Sequence, residues 1–158
     1  MISLEELSRL AETINQETDS YTQSLAELEK KLVCMNLGIE AWVPLNPEVA
    51  TSGIPERNTR IRTILGFAKT TEGWGFAVQD VRIDRGFLDG DPNCPYENRF
   101  EDSPPKLLLK SSRELRILAA GRIEEVLDAL KLEAEETISA LKKAAGLARK
   151  GLTLVSSR

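Results

Sequence analysis

Histidine is absent from this chain, and its absence removes several classes of function at once. Without histidine there is no imidazole general base, no histidine metal ligand and no histidine-containing catalytic triad. The sequence also has no phosphate-binding P-loop, no nucleophile elbow and no protein-kinase signature. We therefore predict that the protein is not an enzyme and that it uses no cofactor.

Cysteine and long apolar runs are also scarce. The two cysteines, Cys34 and Cys94, form no CxxC pair, so the reduced thiols of a cytoplasmic protein are expected. No apolar stretch is long enough to span a membrane, and the first residues lack the layout of a signal peptide. A formal net charge of −4 argues against binding to DNA, RNA or membrane surfaces, because such binding requires a basic field.

One acidic segment resembles a calcium-binding loop but departs from the pattern at two positions. Asp89, Asp91 and Asn93 have the spacing of the first three ligands of an EF-hand loop. The position of the required glycine is occupied by Cys94, and the twelfth position, which needs glutamate, is occupied by Phe100. We therefore predict no metal site.

The strongest structural signal is a heptad repeat in the N-terminal segment. Apolar residues recur at alternating steps of three and four from Leu4 to Met35, interrupted only by the polar Thr18. Residues 1–36 are therefore predicted to form a long helix with a narrow apolar seam. A narrow seam is typical of contacts between chains, so we expect homo-oligomerisation through residues 4–35. Packing of the seam on the body of its own chain is the alternative.

A small antiparallel β-sheet over residues 38–110 and a second long helix are predicted to follow. Four strands are expected, at residues 38–44, 60–70, 74–83 and 106–110. Two long loops are expected, at residues 44–59 and 84–105. Residues 112–150 show the broad apolar stripe of a helix that lies on a sheet, with Gly121 as a mild helix breaker. The sequence thus predicts a single α+β domain over residues 1–158.

Two arginines in the first turn of the predicted C-terminal helix point to an anion-binding site. The run Ser111-Ser112-Arg113-Glu114 predicts a helix start, with Ser111 as the cap and Glu114 closing a capping box. The helix N-terminus carries a partial positive charge, so Arg113 and Arg116 are unfavourable there unless an anion binds. A phosphate-bearing ligand is therefore predicted. Pairing of these arginines with surface carboxylates is the alternative.

Further arginines and loop side chains could complete such a site. Arg57, Arg60 and Arg62 cluster before or on the second predicted strand, and arginine is well suited to bidentate phosphate contacts. Aromatic residues of the 84–105 loop can stack on a base, and asparagine can bind a base edge or a ribose hydroxyl. The alternative is that the loop aromatics fix the loop to the domain. The candidate ligand-binding residues are Arg57, Arg60, Phe87, Asn98, Arg113 and Arg116.

Three short motifs carry a resemblance to a known family. The first is Met-Asn-Leu-Gly-Ile-Glu-Ala-Trp-Val at residues 35–43. The second is Leu-Gly-Phe-Ala-Lys at 65–69 before Trp-Gly-Phe-Ala-Val at 74–78, and the third is Ser-Arg-Glu-Leu-Arg at 112–116. Together they resemble the first-described family of Thoeris anti-defence sponges from phages.

The resemblance implies an oligomer in the cytoplasm of the bacterial host, with helices flanking an antiparallel sheet. It implies capture, without cleavage, of a cyclic ADP-ribose isomer, the signal that host TIR-domain proteins make on infection. Some members also hold cyclic oligonucleotides at a separate site between subunits. Carried over to this chain, an arginine at the start of the final helix matches Arg113 or Arg116, and a loop aromatic and asparagine match Phe87 and Asn98. The alternative function is a coiled-coil oligomeric scaffold that binds no small molecule.

Overall fold

The computed structural model describes residues 2–50 and 58–156, and it confirms the α+β fold. Three helices are present in these residues: α1 at Leu4–Met35, α2 at Arg113–Ala120 and α3 at Ile123–Ser156. Six strands are present: β1 at Ala41–Pro44, β2 at Val49–Ala50, β3 at Thr59–Thr70, β4 at Gly73–Phe87, β5 at Pro95–Glu101 and β6 at Lys106–Leu107. Short 3-10 turns follow β4, at Leu88–Gly90, and β6, at Leu108–Lys110.

The sheet is built around the long antiparallel pair of β3 and β4. A tight turn joins the two strands at Gly73, whose φ of 115° is a conformation that favours glycine. On the outer edge of β3 lie β1 and β2, and on the outer edge of β4 lie β5 and β6, all antiparallel to their neighbours. The sheet therefore has a long central ribbon with two short strands along each side.

All three helices contribute to one hydrophobic core on a single face of the sheet. Cross-strand partners Phe67 and Phe76 meet edge to face, with ring centroids 5.8 Å apart, and both side chains are buried. The helices cover this face with a set of buried side chains: Leu25 and Leu32 from α1, Ala119 from α2, and Val126 and Leu130 from α3. Burial of each large apolar side chain stabilises the fold by about 1.5–3 kcal/mol.

The predicted heptad seam of α1 divides into two halves with different environments. Leu25 is 3% exposed and Leu32 is 8% exposed, because both pack on the sheet of their own chain. Leu7 and Ile14 are each 50% exposed, and Leu4 is 84% exposed. The second half of the seam up to Leu32 is thus part of the monomer core, whereas the first half is open to another chain, and the last position, Met35, is 63% exposed.

The long C-terminal helix predicted over residues 112–150 is two helices. Gly121 and Arg122 separate α2 from α3, and α3 continues to Ser156. The cap of α2 is Ser112, whose hydroxyl oxygen accepts a hydrogen bond from the Leu115 N–H at 3.3 Å, so the prediction of Ser111 was wrong by one residue. Residues 138–156 of α3 are exposed throughout, as are nearly all residues of α1 before Ser20.

The predicted loop at residues 84–105 is wrong over half of its length. It contains the last residues of β4 and all of β5, which pair from Val81–Glu101 to Phe87–Pro95. All seven residues of β5 are exposed. Because neither face of the strand is buried, its sequence does not need the alternation of apolar and polar side chains that would predict a strand. Of the predicted loop at 44–59, Val49–Ala50 forms β2, and residues 51–57 lie outside the described residues. None of the described helices has both the length and the apolar character needed to cross a bilayer.

Glu29 of α1 binds the backbone of the central strand. Its Oε2 accepts a hydrogen bond from the Phe76 N–H at 2.8 Å, directly before the two residues of β4 that pair with β6. Burial raises the pKa of the Glu29 carboxyl above its ordinary value of 4.5, and the hydrogen bond from Phe76 opposes this rise. The Glu29 carboxyl group therefore supplies an acceptor for a strand N–H at a position where burial disfavours its charged form.

Replacing Glu29 with glutamine is expected to raise the melting temperature at neutral pH. Because the folded-state pKa is raised, ionisation of Glu29 removes stability as the pH rises from about 4.5 through the folded-state pKa. Glutamine keeps an acceptor for the Phe76 N–H and carries no charge. The gain should appear in thermal denaturation at pH 7 and disappear below the ordinary glutamate pKa. The exposed Glu133→Gln is the matched control, and an equal response of both variants would contradict the prediction.

Candidate anion-binding site

A cleft of about 630 Å³ lies beside β6 and the start of α2. The turn between β3 and β4 borders one end, and Asp80 of β4 with Ser103 borders the other. Its polar lining consists of Thr63, Thr70, Thr71, Glu72, Gln79, Asp80, Ser103, Lys106, Lys110, Ser111 and Ser112. Small-molecule sites have volumes of about 300–1,000 Å³, so the cleft is large enough for a nucleotide-sized ligand.

The chain around β6 brings the first turn of α2 to this cleft. The 3-10 turn at Leu108–Lys110 is closed by the Ser111 N–H, which donates to the Leu108 carbonyl at 3.0 Å. The Ser111 hydroxyl donates to the Leu107 carbonyl at 3.2 Å. Helix α2 then starts at once, with Ser112 as its cap. The first N–H groups of a helix have no partner within the helix, and they carry its partial positive charge.

The two ends of the cleft differ in charge. Lys110 directly precedes Ser111 at the α2 side, and Lys106 lies opposite Val78 of β4 and makes no ion pair with any described residue. Lys110 forms an ion pair with Glu72, and both side chains are about half exposed. At the other end, Asp80 Oδ1 accepts a hydrogen bond from the Thr63 hydroxyl at 2.7 Å. An anion would therefore be favoured beside Ser112 and disfavoured beside Asp80.

The two predicted arginines of α2 have different environments, and neither lines the cleft. Arg113 is exposed, and its side chain has no hydrogen bond or ion pair to the described residues. The Arg116 side chain reaches back to the turn that precedes the helix start, where its Nη1 donates to the Leu109 carbonyl at 3.1 Å. Its own carbonyl accepts a hydrogen bond from the Tyr21 hydroxyl at 2.9 Å. Arg116 therefore connects α1, α2 and the turn after β6, while Arg113 remains free to bind a ligand.

The other predicted ligand residues lie at the far end of the sheet. Asn98 is opposite Asp84 in the pairing of β4 with β5, and Phe87 ends β4. Arg60 is opposite Ile83 in the pairing of β3 with β4. The seven residue steps of β4 from Ala77, beside β6, to Asp84 span about 23 Å of extended chain. Within one chain, these residues therefore lie far from Arg113 and Arg116. Arg57 lies outside the described residues.

This far end of the sheet holds an ion-pair network around Arg85. The two Nη atoms of Arg85 bind the carboxylate of Glu48 at 2.5 and 2.7 Å, and its Nε binds Glu97 at 2.7 Å. Arg62 lies 3.6 Å from Glu48, and Arg99 lies 2.8 Å from Glu97. Hydrogen bonds from Arg85 lower the pKa values of both glutamates. Because Arg62 already has a carboxylate partner, it is a weaker phosphate candidate than its sequence position suggests.

A second cavity, of about 450 Å³, adjoins this network. It is lined by Phe87 and Tyr96, which are both exposed, together with Arg85 and Glu97. The sequence singled out Phe87 but gave no signal for Arg85. In this cavity the charged groups of Arg85 and Glu97 are already paired with each other, and the rings of Phe87 and Tyr96 lie beside them.

No protein-family model matches this chain, and no curated protein and no solved structure matches it either. The family resemblance therefore rests on the three sequence motifs alone. Two of these motifs lie in the packed body. A Cβ at Gly66 would be 2.6 Å from the ring of Trp42, and Phe67 stacks on Trp74 with ring centroids 5.8 Å apart. The third motif is the start of α2, beside the cleft. Among the described residues, no cluster of acidic or cysteine side chains could hold a metal ion.

Proposed function

We propose that the protein binds a phosphate-bearing cyclic nucleotide, a cyclic ADP-ribose isomer, and sequesters it without cleaving it. In this proposal it acts as an anti-defence sponge of a phage in the cytoplasm of the host bacterium. The observation that supports it is the meeting of the α2 N-terminus with Lys106 and Lys110 in a cleft of ligand size. The choice of this particular nucleotide comes from the sequence resemblance.

The proposed phosphate position is beside Ser112. Backbone N–H groups of a helix start bind phosphate well, and the lysines add two positive charges close by. The ion pair of Lys110 with Glu72 is half exposed, and such pairs contribute about 0–1 kcal/mol. A phosphate can therefore replace Glu72 as the partner of Lys110 at small cost. Arg113, one residue beyond the cap, is near enough in sequence to add a further contact.

Binding without cleavage is proposed because the chain lacks histidine and has no recognised catalytic motif. The test is to incubate the protein with cyclic ADP-ribose isomers, remove free ligand by gel filtration, and denature the complex. Mass spectrometry of the released ligand should find the added isomer intact and in stoichiometric amount. A new nucleotide product that accumulates under excess ligand would identify an enzyme instead, and the absence of any bound ligand would contradict the proposal.

Removing single charges should locate the ligand. Lys106→Ala and Arg113→Ala are each expected to weaken binding by about ten- to a hundredfold, the effect of losing one charge-assisted hydrogen bond. Both side chains are exposed and unpaired within the described residues, so their melting temperatures should stay unchanged. Lys131→Ala on α3 removes an equally exposed charge and is the matched control. Calorimetric affinities equal to that of the control for both variants would place the ligand elsewhere.

Arg116→Ala should behave differently from these variants. Its guanidinium binds the Leu109 carbonyl, and it is partly buried between helices. Loss of this hydrogen bond is expected to lower the melting temperature first, and to affect affinity only through the position of α2. A lower melting temperature with nearly native affinity would indicate that Arg116 positions α2. A lower affinity at a native melting temperature would indicate the direct ligand contact that the sequence predicts.

A scaffold that assembles through its helices and binds no small molecule is the second candidate function. The exposed first half of α1 and the exposed second half of α3 favour it, because monomeric proteins rarely leave so many apolar side chains in water. An oligomer that releases no nucleotide in the denaturation experiment would support the scaffold.

A further inference from the structure

Two helical segments extend from the packed body with their apolar residues exposed. The first is residues 2–20, which include the start of α1, and the second is residues 138–156, the end of α3. Large apolar side chains in both segments are half exposed or more: Ile2, Leu4, Leu7, Leu10 and Ile14 in the first, and Ile138, Leu141, Leu147, Leu152 and Val155 in the second. The two segments therefore do not cover each other within one chain.

The α3 segment has a heptad seam of its own. Ile138, Leu141, Ala145, Ala148, Leu152 and Val155 follow one another at steps of three, four, three, four and three. The seam of the α1 segment, Leu4, Leu7, Ala11 and Ile14, has the same spacing. At 1.5 Å per residue the helical parts are about 25 Å and 28 Å long. The two seams are thus matched in spacing, and the helical segments that carry them are similar in length.

The two segments have opposite charges of equal size. Residues 2–20 contain five acidic residues and one arginine, a net charge of −4. Residues 138–156 contain three lysines, one arginine and no acidic residue, a net charge of +4. Lys142 and Arg149 follow the seam positions Leu141 and Ala148 directly, so they flank the seam as interhelical charges do in coiled coils.

From these three features we propose that the α1 segment of one copy packs on the α3 segment of a second copy. Pairing of like segments would place −4 against −4 or +4 against +4, which opposes association. In a two-fold symmetric dimer the exchange occurs twice, so all four exposed segments are covered. The α1 seam then pairs with a basic helix, and not with another α1 as a simple heptad interpretation suggests. This pairing does not depend on the proposed nucleotide.

Reversing the charge of one segment at a time tests this pairing. The first variant carries Glu5→Lys, Glu12→Lys, Glu17→Lys and Asp19→Lys, which change the α1 segment from −4 to +4. The second carries Lys142→Glu, Lys143→Glu, Arg149→Glu and Lys150→Glu, which change the α3 segment from +4 to −4, and a third combines both sets. All eight side chains are exposed, so circular dichroism should show an unchanged fold. Analytical ultracentrifugation should find that each single-segment variant raises the dimer dissociation constant by about tenfold or more. The combined variant, whose net charge equals that of the native chain, should return to within about threefold of the native value.

Three outcomes would overturn the proposal. A native chain that remains monomeric at its highest soluble concentration has no such interface. Unchanged dissociation constants in both single-segment variants would indicate pairing of like segments, because the reversed segments then place +4 against +4 or −4 against −4, the same repulsion as in the native pairs. A combined variant as weak as either single-segment variant would show that the two segments do not contact each other.

Discussion

Leu25→Asp is expected to leave the chain unfolded at room temperature, whereas Leu7→Asp should leave the fold of the monomer intact. Both residues are positions of the same heptad seam on the same helix. Leu25 is 3% exposed and packs in the core, while Leu7 is 50% exposed. The first substitution loses about 1.5–3 kcal/mol of apolar burial and also places a charge in the core. Proteins have free energies of unfolding of about 5–15 kcal/mol, so the two losses together remove most of the stability of the fold.

Far-UV circular dichroism and urea denaturation of dilute samples separate the two cases. Leu25→Asp should show no cooperative unfolding transition, and Leu7→Asp should unfold at nearly the native urea concentration. Oligomer formation should be impaired by Leu7→Asp, because this side chain lies in the exposed half of the seam. A cooperative, native-like transition for Leu25→Asp would mean that the second half of α1 does not belong to the monomer core.

Gly66→Ala is expected to destabilise the domain by about 1–3 kcal/mol or more. A Cβ at this position would lie 2.3 Å from the Ala41 carbonyl oxygen and 2.6 Å from the ring of Trp42. The carbonyl belongs to β1, which pairs with β3 at this point, so it cannot move without disturbing the ladder. The expected result is a lower urea midpoint with an unchanged denaturant slope.

Gly75→Ala provides the matched comparison on the neighbouring strand. The three atoms nearest to its Cβ would be side-chain atoms of Glu29 and Leu107, at 2.7–2.8 Å. Side chains can change rotamer, so the loss of stability should be smaller than for Gly66→Ala. An equal or larger loss at Gly75 would show that the contact with β1 is not the limiting one.

The elements that sequence alone predicted are those with strong local patterns. Helix α1 has a regular heptad repeat and a local start, in which Ser3 and Glu6 form a capping box. The paired strands β3 and β4 are rich in apolar residues and meet at a glycine turn. Strand β5 was missed because its residues are all exposed, so that backbone pairing with β4 holds it and no apolar alternation signals it.

The candidate site was only partly predictable for the same reason. A helix start with basic residues near 113 is a local feature, and the structure has a helix start there. The direction of the Arg116 side chain depends on the Leu109 carbonyl, and the Arg116 carbonyl is bound by Tyr21 of α1; no short motif encodes either contact. The partners of Arg85, Glu48 and Glu97, lie 37 and 12 residues away in the sequence, so its network appears only after folding.

The opposite charges of the two exposed segments also have a consequence for the protein in solution. The whole chain has a net charge of only −4, although it contains one segment with a charge of −4 and another with a charge of +4. At low ionic strength such segments attract those of other molecules over long distances, because the Debye length grows to about 30 Å at 0.01 M salt. Added salt shortens this range and weakens the attraction. The protein should therefore dissolve better in moderate salt than in water, a salting-in behaviour that its net charge alone does not predict.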